Sequence, residues 1–198
     1  MDPCTPITYR VNTVHAGAGA LADVQGALAR IGAVTGLRFV YKGTTTAIPR
    51  NDYAGQPTDA DILVAWASPG ASDMLPKVPA GQFGIAGLGG AWATTAGWTG
   101  AGRQQDRMVQ GHLILDNSRV FAPGFGSGPT TGWQGTRGQL LMHELGHVIG
   151  LGHVGGDQWE IMKPAMSRMP AVYGAGDVAG LRKLGAGAGC IYDFDPAR

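Results

Sequence analysis

A chain of 198 residues with 15 basic and 14 acidic side chains has a formal net charge of +1 and a charged fraction of 15%, so it lacks the basic field that holds nucleic acid or an anionic membrane surface. No apolar run is long enough to span a bilayer. The 34 glycines follow no triplet period, which points to a loop-rich globular protein and away from collagen or disorder; the length suits a single domain with a substantial core.

The chain opens Met1-Asp2-Pro3-Cys4 without a basic segment followed by an apolar one, so a secreted protein is expected to have lost its signal already. Residues 7–12 read as a strand. Leu21, Val24, Leu28, Ile31 and Val34 then recur every three or four positions, predicting an amphipathic backing helix that ends near Gly36. Residues 37–42 suit a second strand, and the near-continuous apolar run 62–67 a central one. The Pro- and Gly-rich segment 67–90 reads as a long loop of the kind that carries binding function. Two further strands are expected at 86–95 and 108–116, one of them an antiparallel edge. A peptide held as an added strand would lie along 87–93, where an ordinary sheet edge is the plainer alternative. Thr136 with Gln139 forms a capping-box pattern at the start of a helix whose Leu141, Leu145, Val148 and Ile149 share one face.

The opposite face of that helix carries the chemistry. His143 and His147 stand one turn apart, about 40° around the axis, and can chelate one ion. Gly150 can take the left-handed conformation that ends a helix, and three residues later His153 can return to the same ion. Three imidazoles with a fourth position left for water are what a catalytic zinc needs. Glu144, offset about 100° from His143, can reach a water and act as general base. This chain's own composition gives the five-position pattern roughly one chance in 10⁵ of arising by accident, so chance clustering is set aside. Cys4 and Cys190 sit near opposite ends; a bridge between them would close almost the whole chain into one loop and imply an oxidising compartment, the alternative being two buried thiols. His15 reads as a surface or capped histidine, and Trp66, Trp92, Trp98, Trp133 and Trp159 as core and loop packing.

The run His143-Glu144-Leu145-Gly146-His147-Val148-Ile149-Gly150-Leu151-Gly152-His153, followed by Glu160-Ile161-Met162-Lys163-Pro164, resembles the signature of the metzincin zinc metallopeptidases. Among them the chain is most similar to matrixins of the compact bacterial type, over residues 7 to about 185. Ile7-Thr8-Tyr9-Arg10-Val11, Ala60-Asp61-Ile62-Leu63-Val64 and Gly176-Asp177-Val178-Ala179-Gly180-Leu181 match, in order, the first strand, the third strand and the start of the last helix. The resemblance implies an α+β metzincin (zincin-like) fold: a twisted, mixed five-stranded sheet with one antiparallel edge strand, a backing helix, an active-site helix, and a small C-terminal subdomain with one helix. The catalytic domain would fill 1–198, with an upper part to about 150 and a lower part over 151–198.

It implies one catalytic zinc on His143, His147 and His153, Glu144 as catalytic base, Met162 as the Met-turn residue beneath the imidazoles, and Asp177 as its support. A substrate pocket would be walled by Pro164 and Tyr173, with Met166 and Met169 nearby. Three departures from the family pattern stand out. Gly176 replaces the first of two adjacent acids. His112 alone cannot build the second, structural zinc site. No tyrosine stands two residues after Met162, which disfavours the astacins and serralysins. Calcium is a lesser expectation, on Asp73, Asp106, Asp116 and Asn117, where solvated loop acids are the plainer reading. A zymogen-type role for Cys4, capping the zinc, lacks the surrounding motif. The implied activity is that of a secreted zinc endopeptidase, a monomer acting on protein or peptide. The alternatives are a zinc-stabilised binding module that does not catalyse, or a metzincin of another subfamily with restricted peptide substrates.

Overall fold

The computed structural model describes residues 1–79, 82, 84–100, 102, 104–130, 135–155 and 159–192; Trp133 lies outside them. The elements run β1 (Ile7–Asn12), α1 (Ala20–Thr35), β2 (Phe39–Thr44), β3 (Ile62–Ala67), β4 (Gly87–Thr99), β5 (Gln104–Asp116), α2 (Arg137–Ile149), α3 (Ala175–Leu184) and β6 (Ile191–Tyr192), with one 3₁₀ turn at Ala186–Ala188. The sheet order is β2-β1-β3-β5-β4-β6. β1, β2, β3 and β5 are mutually parallel, and β4 runs antiparallel to β5. The five expected long strands form a mixed sheet. A two-residue β6, not foreseen, adds to the far end of β4 at Trp98 and Thr99.

Burial follows the sequence pattern. All six residues of β3 are buried, as a central strand covered on both faces requires. On one face Val11, Val64, Leu113 and Leu115 meet Val24, Leu28 and Ile31 of α1 and Leu141, Leu145 and Val148 of α2. On the other, Ala67 and Ile114 are covered by Met74 and Leu75. The first half of the segment 67–90 is therefore structural, since it folds back to seal the second face. Ser72 donates to the Pro49 carbonyl at 2.5 Å to hold it there.

Two boundaries moved. β2 starts two residues later than the pattern predicts because Leu37 turns into the core and its N–H donates to the Thr35 hydroxyl, prolonging the helix exit. The β4–β5 hairpin extends past the sheet to Thr99 and Gln104, through Gly-, Thr- and Gln-rich sequence with no clear two-residue alternation.

Cys4 and Cys190 are disulfide-bonded across 186 residues. The bond excludes both two free thiols and a Cys4 ligand to zinc. Asp2 Oδ1 accepts from the N–H groups of Cys4 (2.9 Å) and Ile191 (3.2 Å), so both chain ends are tied at one point. Arg137, the first residue of α2, pairs at 2.7 Å with Asp23 of α1 in a largely buried bridge, joining the backing helix to the helix that carries the site.

Candidate metal centre

α2 begins at Thr136, whose hydroxyl accepts from the Gln139 N–H at 3.3 Å. Only half of the predicted box forms, because the Gln139 side chain turns away and donates to Ser167 at 3.2 Å. The helix ends at Gly150, where φ is 115°, a conformation that strains a residue with a side chain. Its N–H returns to Gly146 and His147, and the chain leaves in a new direction that brings His153 back to the helix.

The three histidines converge. Nε2 of His143 lies 3.2 Å from Nε2 of His147 and 3.2 Å from Nε2 of His153, and the latter two are 3.1 Å apart. Nδ1 of His143 meets the Ile161 carbonyl at 2.7 Å and Nδ1 of His147 the Leu151 carbonyl at 2.8 Å. A carbonyl only accepts, so in both rings Nδ1 carries the proton and Nε2 presents its lone pair. Lone pairs crowded this closely repel unless a cation or proton lies between them. Nitrogens bound at about 2.05 Å around a tetrahedral ion stand roughly 3.3 Å apart, close to the observed triangle, so the three residues fit a metal. Burial is the main reason the His143 pKa falls to about 4, with its two neighbours pushing the same way; the group stays neutral and ready to ligate through the physiological range.

Glu144 stands beside the triangle and is not one of the clustered ligand residues. It is 6% exposed, and its carboxylate accepts from the Gly89 N–H on β4 at 2.7 Å. Burial raises its pKa to about 7, against the opposing pull of that hydrogen bond. The close approach of α2 to β4 requires glycine at position 89, where a Cβ would collide with the Glu144 backbone. No protein-family model matches the chain, and no characterised protein sequence matches it.

Met162 is buried against α2, and its sulfur occupies the place a side chain at Gly146 would need. The Met162 carbonyl accepts from Val154 N–H at 3.1 Å, tying the residue after His153 to this turn. Asp177 is buried at the start of α3 and accepts from Ile161 (2.6 Å), Met162 (3.2 Å) and its own N-cap residue Gly174 (3.0 Å).

A second carboxylate, absent from the sequence reading, completes the clamp. Glu160 accepts from Gly176 N–H at 2.9 Å and Asp177 N–H at 2.8 Å, filling the space opposite Gly174 and Gly176 with its own side chain. Glu160 thus sets a negative charge at the N-terminus of α3, which favours it. Its signal in the sequence was scarcity: Glu160 is the only glutamate besides Glu144.

The trio and Glu144 line a cleft of about 510 Å³, with Gly84–Leu88 above, Lys163–Met166 below and Leu140 between. Pro164 lies on this wall. Tyr173 does not: it is buried in the core, where its hydroxyl donates to the Met142 carbonyl at 3.0 Å. A phenol hydroxyl buried with a backbone partner costs far less than one left unpaired, so Tyr173 props α2 from behind.

Asp116, a candidate calcium ligand, accepts from Ser118 N–H (2.9 Å), Ser118 hydroxyl (2.6 Å) and Arg119 Nε (3.0 Å). Arg119 also donates to the Gly84 carbonyl, fixing the cleft's upper rim to the end of β5. Asp73 accepts from Asn51 N–H at 3.2 Å. His112 is buried beside the Tyr53 ring, 5.2 Å away between centroids. Trp66 is in the core, whereas Trp92 and Trp159 are more than half exposed.

Proposed function

We propose that the protein is a secreted zinc-dependent endopeptidase of metzincin, matrixin-like type. The observation that carries this reading is Glu144: a buried carboxylate with a pKa near 7, beside three converging imidazoles and facing a cleft bounded by a sheet edge. A site that only stores a structural ion needs ligands and no neighbouring base. Secretion is supported by the disulfide.

Zinc held by His143, His147 and His153 would polarise a carbonyl and lower the pKa of water towards 7. The carbonyls of Ile161 and Leu151 keep the two helical rings oriented. Glu144 takes the proton of the attacking water on its carboxylate and passes it to the leaving amine; a pKa near 7 suits a group that must both take and return a proton at neutral pH. The Gly89 N–H holds one carboxylate oxygen in place and leaves the other for the proton. Between Gly87 and Gly97, β4 has no strand on its outer side among the described residues, so an extended peptide can pair along it. Met162, Asp177 and Glu160 hold the floor on which His143 and His153 rest.

The test compares two variants. Glu144→Ala should keep zinc and lose cleavage by on the order of 10³-fold or more, whereas His147→Ala should lose zinc as well. An active Glu144→Ala protein would falsify the assignment, and zinc binding with no peptide cleavage in the unaltered protein would favour the non-catalytic module.

A further inference from the structure

Three side chains other than the histidines bring formal charge to the cleft: Arg119, Glu144 and Lys163. Two are committed. Arg119 is paired with Asp116, both nearly buried, and braced on Gly84; Glu144 is bonded to Gly89. Lys163 is half-buried, and among the described residues no carboxylate or other acceptor pairs with its ammonium. Its backbone N–H donates to the Glu160 carbonyl at 3.4 Å, so the clamp that holds the floor also fixes where this side chain starts. The wall beyond it, Pro164, Ala165 and Met166, carries no charge.

A cation on the wall of a cleft lined largely by apolar groups attracts an anion more strongly than it would in open water. A lysine does so as a mobile point charge, without demanding the two-pronged geometry an arginine prefers. We propose that Lys163 determines specificity by pairing with an aspartate or glutamate side chain of the bound peptide, at the subsite bounded by the 163–166 wall and α2. This rests on the endopeptidase reading above and adds the chemical class of substrate.

The test uses the full-length, zinc-loaded protein and a set of peptides in which Glu, Gln or Lys is moved through each position flanking the cut. At one position the unaltered protein should prefer Glu over Gln by about fivefold in kcat/KM, the size of one partly exposed ion pair, and the preference should shrink as salt is raised. Lys163→Met should abolish it, and Lys163→Glu should reverse it in favour of Lys. Binding of the best Glu and Gln peptides to the zinc-loaded Glu144→Gln protein, with and without Lys163→Met, reads the same preference by calorimetry without turnover. Cleavage with one unchanged preference in all three proteins overturns the role of Lys163 and leaves the peptidase standing. A binding preference that needs Lys163, with no cleavage of any peptide, overturns the peptidase and leaves the acidic subsite standing.

Discussion

Replacing Glu144 by glutamine should make the metal-free protein more stable while removing its activity. The Glu144 pKa is raised from 4.5 to about 7, so the folded state holds its proton more tightly than the unfolded chain does. Stability from this group is fully present below about pH 4.5 and is lost as pH rises through 7. The shift of about 2.5 units corresponds to roughly 3 kcal/mol of penalty for the buried anion above pH 7. Glutamine carries no charge and can still accept from the Gly89 N–H. At pH 8 the metal-free Glu144→Gln protein should therefore melt about 5–10 °C above the unaltered one, and at pH 4 the two should coincide. The His143 pKa, lowered to about 4, acts in the opposite sense and destabilises the fold as pH falls from 6.5 towards 4. It is common to both proteins and cancels in the difference. Melting of both proteins across pH 4–8 in the presence of a chelator is the assay. A gap that does not vary with pH, or a less stable glutamine variant at pH 8, would refute the idea that Glu144 is a strained, buried base.

Other consequences follow from the surrounding contacts. Asp177→Ala strands three backbone N–H groups and should cost about 3 kcal/mol or more, with weakened zinc affinity measurable by competition against a chromophoric chelator; zinc affinity and melting both unchanged would show that the floor does not position the ligands. Arg119→Met leaves Asp116 buried without its partner and should lower stability by about 3–5 kcal/mol. Because a guanidinium already occupies Asp116, calcium added to the unaltered protein should leave its melting temperature unmoved, and a calcium-dependent rise would place an ion there after all. Reduction of Cys4–Cys190, or its replacement by serines, should cost up to about 5 kcal/mol on the chain-entropy estimate for so long a loop, read as a lower denaturant midpoint.

The histidine-bearing helix α2 was the most legible part of the chain because its information is local. The Thr136 cap, the apolar face, the two helical ligands, the Gly150 stop and His153 all lie within eighteen residues, and the apolar face and the pair His143 and His147 follow the 3.6-residue period. The disulfide was legible because only two cysteines exist. The contacts of Glu160 with α3 and of Arg119 with the Gly84 carbonyl were not, since partners 16 to 35 residues away leave no periodic trace. Tyr173 was misplaced for a related reason: an amphipathic ring near a wall can line a cleft or prop a helix, and the carbonyl of Met142 that decides between them lies 31 residues away. The long β4–β5 arms were underestimated because glycine, threonine and glutamine there blur the alternation that marks a strand.

The proposed activity is metal-dependent peptide-bond hydrolysis at the histidine triangle. Its most direct test is to incubate the protein with a diverse peptide library, once zinc-loaded and once treated with a chelator and then reloaded with zinc, and to map the cut bonds by mass spectrometry. Internal cuts are expected in the loaded sample, none under chelation, and the same cuts after reloading. Cleavage that persists under chelation, or no cleavage by the zinc-loaded protein, would contradict it.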